Sequence, residues 1–220
     1  MGYELLTSRF TGRNVLVLGS APLREPLTVQ RTELVVCVNG SISSLPGRPP
    51  DLWLLNSRVK PLDRWGHERR FLHRTMMAQA ENRHVRIVGF MTRQSKAEDY
   101  TAAWLREQQT TFEHSLVIAR TDRERLEVKT GVRTVAMNRD ACSAGVFGVI
   151  VALWAGAAHV RMEGFSFEKG YHYLPGHSLP ENCRAHVQGD RLALRQIALM
   201  YPGQVDGALV PGSRYQERPA

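Results

Sequence analysis

Short apolar runs alternate with longer stretches of mixed polarity along the 220 residues of the chain. Several of these runs stop at Gly or Asn, a pattern typical of buried strands. The pattern predicts strands over residues 14–19, 34–38, 52–55, 85–90, 116–118 and 159–165. Residues 61–80, 97–109, 141–155 and 190–201 are predicted to be helical, and the charge-rich segment 121–132 has no clear period.

The alternation of strands and helices predicts an α/β fold with a parallel sheet. No repeat or linker divides the chain, so residues 1–213 are predicted to form a single Rossmann-like domain. We expect a mostly parallel sheet with helices on both faces, followed by a loose tail over residues 214–220. Segment 141–155 is apolar nearly all round, which predicts a helix buried on most sides.

A long loop with acid/base side chains separates the last predicted strand from the last predicted helix. It spans about residues 168–185 and contains two tyrosines and two histidines, and His186 follows it directly ahead of the helix. Loops of this length in compact domains are usually functional or disordered. We expect this C-terminal loop to be a lid that closes over a ligand.

Charge and composition narrow the class of partner. The formal net charge of +8 favours anionic partners, but basic and acidic residues are interleaved and no RNA-binding aromatic signature is present, so no nucleic-acid partner is expected. No apolar run is long enough for a membrane span, and no signal peptide is recognised. Three cysteines without metal-like spacing predict a reducing cytoplasm. Cys37 and Cys142 are expected to be core thiols, and peripheral contact with the inner membrane face and homo-oligomerisation remain open.

Small polar residues follow the first three predicted strands. The strand ends read Gly19-Ser20-Ala21-Pro22, Asn39-Gly40-Ser41 and Asn56-Ser57-Arg58. One such end is ordinary turn chemistry, but parallel sheets bind ligands at their carboxyl edge, where all three ends meet. Asn both donates and accepts, which suits ribose hydroxyls and base edges. The chain has no GxGxxG, P-loop or GxSxG motif, and no Asp-x-Asp motif that would hold a metal.

Four segments together resemble the bacterial sialyltransferases of glycosyltransferase family 42, which use CMP-sialic acid. These segments are VLVLGSAPL, VVCVNGS, DLWLLNS and SAGVFGVIVALWAGAAHVRMEGFSF, followed by the Tyr/His loop and a His before a helix. The resemblance implies an enzyme that transfers sialic acid or a related acidic sugar from a CMP-activated donor to a glycan acceptor. It implies an inverting, metal-independent reaction with a His as general base and no separate cofactor.

The resemblance also implies which residues form the site. The nucleotide-binding positions fall on Gly19, Ser20, Ala21, Pro22, Asn39, Gly40, Asn56, Ser143, Ala144 and Gly145. The catalytic positions fall on His186 as general base, Asp190 as its acidic partner, and Tyr171 and Tyr173 as phosphate ligands. Ser20 stands where the family has Asn, and Gly40 stands where it usually has Gln.

Other interpretations of the same residues stay open. His177 competes with His186 for the role of base, because the residues before it are similar to those before the family's catalytic His. His172, His177, Cys183 and His186 form an alternative zinc ligand set, although their spacing matches no common zinc motif. Two different functions also remain: a pterin-pyrophosphokinase-like phosphotransferase using Mg²⁺, and a catalytically silent nucleotide-binding module.

Overall fold

The computed structural model describes residues 2–23, 25–56, 84–91, 105–106, 109–135, 141–167 and 186–212. The described strands are β1 (Asn14–Leu18), β2 (Leu34–Val38), β3 (Leu52–Asn56), β4 (His84–Met91), β5 (Thr111–Ile118), β6 (His159–Glu163) and β7 (Val205–Asp206). The α-helices are α1 (Gly2–Phe10), α2 (Arg120–Thr130), α3 (Ala144–Trp154) and α4 (Val187–Met200), and a 3₁₀ helix covers Asn39–Ser44.

The seven strands form a single sheet in the order β5-β4-β3-β2-β1-β6-β7. Every paired strand runs parallel to its neighbour. The predicted single-sheet, parallel α/β architecture with helices around it is therefore confirmed. Successive strands are added outward from β1 to β5, and the chain then crosses back so that β6 pairs with the other side of β1.

The two faces of the sheet are covered differently. One face packs against α1, α2, α3 and α4, and the side chains of residues 146–153 of α3 are all buried because strands and helices surround it. The other face includes Trp53 and Cys37 and packs against Leu23, Leu27 and Val29 of the loop after β1. The 3₁₀ helix adds Ile42 to this second layer.

Most strand predictions agree with the structure to within one or two residues. Strand β5 is longer than the predicted segment 116–118, and α1, the 3₁₀ helix and β7 were not predicted. Cys37 and Cys142 are buried free thiols, as predicted. The predicted helix 61–80, most of 97–109, the loop 168–185 and the tail 214–220 lie outside the described residues.

The charge-rich segment forms α2 because both of its ends are capped. The Asp122 carboxylate accepts a hydrogen bond from the backbone N–H of Ala119 at 2.9 Å, which satisfies a donor at the start of the helix. Gly131 ends the helix with a left-handed φ of 69°. A charged helix with weak amphipathicity thus takes its bounds from its caps.

The turns that follow β1 and β6 are in direct backbone contact. Gly19 donates to the Glu163 carbonyl and Ala21 donates to the Gly164 carbonyl, both at 2.8 Å. A Cβ atom at Gly19 would lie 2.4 Å from the Gly164 carbonyl oxygen. Gly164 itself has a φ of 69°, which other residues rarely adopt. Only glycines allow these two turns to approach so closely.

Replacing Gly19 with alanine should therefore destabilise the fold, by about 1–3 kcal/mol, since rigid backbone has to move. The matched control is Gly89→Ala in β4, where the added Cβ would meet the flexible end of the Leu54 side chain. Urea denaturation of both variants measures the effect. Equal losses for Gly19→Ala and Gly89→Ala would contradict the argument from backbone contact.

Candidate nucleotide-binding site

The sheet topology predicts a ligand-binding crevice at the carboxyl ends of β1 and β6. The strand order reverses at β1, because β2 extends the sheet on one side of it and β6 on the other. Open α/β sheets bind ligands outside the carboxyl ends of the strands at such a reversal point. Leu18 and Glu163, the last residues of the two strands, are paired in the sheet. The site is therefore expected over the turns that start at Gly19 and Gly164.

The end of β2 is hydrogen-bonded to this crevice. Ser20 Oγ donates to the Val38 carbonyl oxygen at 3.2 Å, which joins the turn after β1 to the end of β2. The next residue, Asn39, has a φ of 48°, and its carbonyl oxygen accepts a 2.8 Å bond from Trp53 Nε1. The backbone of Asn39 is thereby held in an unusual conformation directly beside the reversal point.

The first turn of α3 contacts the same crevice through Phe165. A Cβ atom at Gly145 would lie 2.7 Å from the Phe165 ring, and one at Gly19 would lie 3.1 Å from it. Ser143 caps the helix, with its Oγ accepting from the Val146 N–H at 3.3 Å. The N–H groups of Ala144 and Gly145 have no acceptor among the described residues. A helix N-terminus with free N–H groups favours a phosphate or another anion.

The start of α4 packs against the residues that precede α3. A Cβ atom at Gly189 would lie 2.7 Å from the backbone of Ala141 and Cys142. The Asp190 carboxylate accepts a 2.5 Å hydrogen bond from the Ser143 N–H. Asp190 thus ties α4 to the N-terminus of α3, and this close contact places the adjacent His186 beside that terminus.

The hydrogen bond of His186 determines which ring nitrogen is available for chemistry. Nδ1 lies 2.7 Å from the Ala141 carbonyl oxygen, and a carbonyl only accepts, so Nδ1 carries the proton. In the neutral ring, Nε2 then holds the lone pair. The side chain is exposed, so Nε2 is available to accept a proton from a bound molecule.

Burial raises the pKa of Asp190 from 3.8 to about 6. The N–H and the side chain of Ser143 and the nearby His186 partly counteract this shift, because they favour the carboxylate. Asp190 and His186 form an electrostatic pair rather than a direct hydrogen bond. The carboxylate of Asp190 anchors the helix and lies close enough to stabilise a protonated imidazole.

The structure brings together a large part of the predicted site. Gly19, Ser20, Ala21, Ser143 and Gly145 are linked by the contacts given above, whereas Pro22 is exposed and Gly40 is buried in the 3₁₀ helix. Asn56 is the last residue of β3, but its side chain is not described. Tyr171, Tyr173, His172, His177 and Cys183 lie outside the described residues.

Two aromatic residues after β6 lie at the candidate site, although the sequence pattern did not indicate them as site residues. Phe165 lies between the turn after β1 and the start of α3, and Phe167 lies 5.3 Å from the guanidinium of Arg191. Arg191 directly follows Asp190 in the chain, so it adds a positive charge to the start of α4. The apolar character of Phe165 and Phe167 resembles that of ordinary core residues, and no local pattern distinguishes them.

Neighbouring solved structures share this fold. The sialyltransferase CstII from Campylobacter jejuni, in complex with the substrate analogue cytidine-5'-monophosphate, is 14% identical, with a TM-score of 0.55 over 94% of this chain and 84% of that chain. The monofunctional α-2,3-sialyltransferase Cst-I from Campylobacter jejuni is 15% identical, with a TM-score of 0.53, and the match covers 94% of this chain and 78% of that chain. The sialyltransferase CST-II in complex with a trisaccharide acceptor and CMP is 13% identical, with a TM-score of 0.52, and the match covers 93% of this chain and 84% of that chain.

The fold is that of these sialyltransferases. The similarity lies in structure, because by sequence the chain matches neither a known family model nor a curated protein. Within the residues that the structure describes, no helix is both long and apolar enough to cross a membrane. The same residues contain no group of three His, Cys, Asp or Glu side chains arranged to hold a metal ion.

The raised pKa of Asp190 predicts a pH-dependent contribution to stability. Between about pH 4 and pH 6, Asp190 is ionised in the unfolded chain but still protonated in the folded one, so stability falls as the pH rises through this window. Asp190→Asn keeps an oxygen for Ser143 and does not titrate. Relative to wild type, this variant should gain roughly 1–3 kcal/mol between pH 4 and pH 7, since one pKa unit corresponds to about 1.4 kcal/mol.

Urea unfolding of both proteins at several pH values across this range measures the difference. Asp122→Asn is the control, because Asp122 caps a different helix. A difference in stability between wild type and Asp190→Asn that does not change with pH would show that folding does not raise the pKa of Asp190.

Proposed function

We propose that this chain is a glycosyltransferase that transfers sialic acid or a related acidic sugar from a CMP-activated donor to a glycan acceptor. The observation that carries the proposal is the convergence of the β1 turn, the N-terminus of α3 and an exposed His186 at the reversal point of the sheet. Structures of the same fold that bind CMP and a trisaccharide acceptor support it.

The phosphate of CMP would bind at the N-terminus of α3. The N–H groups of Ala144 and Gly145, which have no acceptor among the described residues, donate to phosphate oxygens, and the small side chains at residues 143–145 let those oxygens approach the backbone. Tyr171 and Tyr173 are proposed to add hydroxyl donors. These donors stabilise the negative charge that develops on CMP as it departs. The cytidine and ribose would then extend along the ends of β1, β2 and β3.

His186 would act as the general base. Nε2 removes the proton of an acceptor hydroxyl while the hydroxyl oxygen forms a bond with the anomeric carbon of the donor sugar. The bond between that carbon and the phosphate oxygen breaks, and its electron pair leaves with CMP. Attack opposite the leaving group inverts the configuration, and no metal ion is needed. The Asp190 carboxylate stabilises the imidazolium that forms.

Arg191 offers a reason for an acidic donor sugar. Its guanidinium lies 5.3 Å from the centre of the Phe167 ring, two residues after Phe165, whose ring lies against Gly145 at the start of α3. Guanidinium groups bind carboxylates through paired hydrogen bonds. We propose that Arg191 contributes to recognition of the carboxylate of the donor sugar.

Asn56 is expected to contact the nucleotide from the end of β3. Asn56→Ala should weaken CMP binding by about 1–3 kcal/mol if it leaves a buried polar partner unpaired. Asn14→Ala is the matched control, because Asn14 is an exposed residue at the opposite end of β1. Calorimetry with CMP measures both variants. If CMP binds both variants as tightly as it binds wild type, Asn56 is not part of the site. If wild type instead binds ATP with Mg²⁺ more tightly than CMP, a phosphotransferase would be favoured.

His186→Ala should lower turnover by roughly 10²–10⁴-fold, the usual contribution of a positioned base. Its affinity for CMP should be nearly unchanged, because the imidazole acts on the acceptor. His84→Ala is the matched control, since His84 is an exposed histidine at the amino edge of the sheet.

Transferase activity and donor hydrolysis are measured in EDTA for wild type and for the His186, His177 and His84 variants. Loss of activity in His177→Ala with retention in His186→Ala would transfer the role of base to His177. Abolition of wild-type activity by EDTA would contradict the metal-free reaction. If wild type binds CMP but transfers no sugar, the chain would be a catalytically silent nucleotide-binding module.

A further inference from the structure

Three arginines surround one buried aspartate at the amino edge of the sheet. Asp51 precedes β3, and its side chain is 1% exposed. Its Oδ1 accepts from Arg9 at 3.0 Å and from Arg86 at 3.3 Å, and its Oδ2 accepts from Arg48 at 3.1 Å. Oδ2 also accepts from the Val35 N–H at 2.9 Å. The aspartate is fully hydrogen-bonded by groups that come from four separate parts of the chain.

Among the residues that the structure describes, the charges of this cluster do not balance. Three guanidinium groups carry three positive charges against one negative charge, which leaves an excess of two. The side chains of Arg9, Arg48 and Arg86 are 26%, 30% and 44% exposed, so they remain in contact with solvent. Among the described residues, Glu33 contributes only its carbonyl oxygen to Arg48, and its carboxylate is paired with Arg161.

Many donors in the cluster have no acceptor among the described residues, and one of them, Arg9 Nε, is buried. Each guanidinium carries five N–H donors, whereas in the part of the chain that the structure describes Arg9 and Arg86 each use one in a hydrogen bond and Arg48 uses two. One arginine would be enough to compensate Asp51. The second and third repel each other, and an external anion would relieve that repulsion. A planar guanidinium matches the geometry of phosphate oxygens.

Further arginines extend the positive surface along this edge. Arg13 directly precedes β1, and Arg31 lies shortly before β2; both are exposed. Arg13 donates to the Thr32 carbonyl oxygen at 3.2 Å, which holds it close to the entry of β2. Counted over the described residues, the amino edge from β1 to β4 carries more arginines than carboxylates, and the carboxylates of Glu33 and Asp51 there are both buried.

We propose that Arg9, Arg48 and Arg86 form a second anion site, which binds a phosphate group carried by a soluble molecule or by a lipid headgroup. The site lies where β3 and β4 begin, at the opposite edge of the sheet from the candidate nucleotide site. It is independent of the proposed transferase function, because none of its residues belongs to that site.

The test uses the full-length protein with pyrophosphate as the probe, in the presence of excess CMP to occupy the other edge. Pyrophosphate should bind wild type, and Arg86→Gln and Arg48→Gln should each weaken binding by about tenfold. Arg125→Gln is the matched control, because Arg125 is an 82% exposed arginine on α2 and its loss removes the same charge. Thermal unfolding and circular dichroism confirm that each variant is folded.

Vesicle sedimentation distinguishes the two sources of phosphate. Binding to phosphatidylcholine vesicles that contain phosphatidylglycerol, lost in Arg86→Gln but kept in Arg125→Gln, would identify a lipid headgroup. Pyrophosphate binding without vesicle binding would identify a soluble phosphate. Absence of binding to both probes would overturn the proposal, and so would equal weakening by all three substitutions, which would indicate a general effect of net charge.

Discussion

The close approach of two backbone turns is the constraint on which the candidate site depends. Strands β1 and β6 are adjacent, and the turns that leave them touch because Gly19 and Gly164 have no side chains. Phe165 follows the contact and packs its ring against Gly145 at the start of α3. The orientation of the first N–H groups of α3 is thus fixed relative to the turns that follow β1 and β6. An anion at that helix N-terminus would therefore lie close to the turns at the reversal point.

The second element of the site is connected by a buried charge. Asp190 holds α4 against the start of α3 through the Ser143 N–H, and burial of its carboxylate works against the charged form that makes this bond strongest. The same contact keeps His186 beside Ala141, whose carbonyl oxygen determines the position of the ring proton. Burying the Asp190 carboxylate costs free energy. The proposed mechanism explains this cost, because the His186 imidazole gains a positive charge during each turnover and the two charges then stabilise each other.

Sequence reasoning predicted the features that local pattern determines. The strands and the small residues at their ends follow from short apolar runs that stop at Gly19 and Asn39, and the parallel sheet follows from their alternation with helices. Helix α2 was not predicted because its charged residues lie on all sides of the helix, so no apolar face marks it. The capping residues Asp122 and Gly131 determine where it begins and ends. The contact of Asp190 with Ser143 joins residues 47 positions apart, so no local spacing indicates it. The arginines around Asp51 are equally scattered along the chain, and only the folded sheet brings them together.

We propose that a cytidine nucleotide binds over the carboxyl ends of β1 and β6, with its phosphate at the N-terminus of α3. A crystal structure of the protein in complex with CMP tests this claim most directly. We expect phosphate oxygens within hydrogen-bonding distance of the Ala144 and Gly145 N–H groups and the ribose beside the turn at Gly19 to Ala21. Density for CMP at the amino edge, beside Asp51 and its arginines, with an empty crevice at the reversal point, would contradict it.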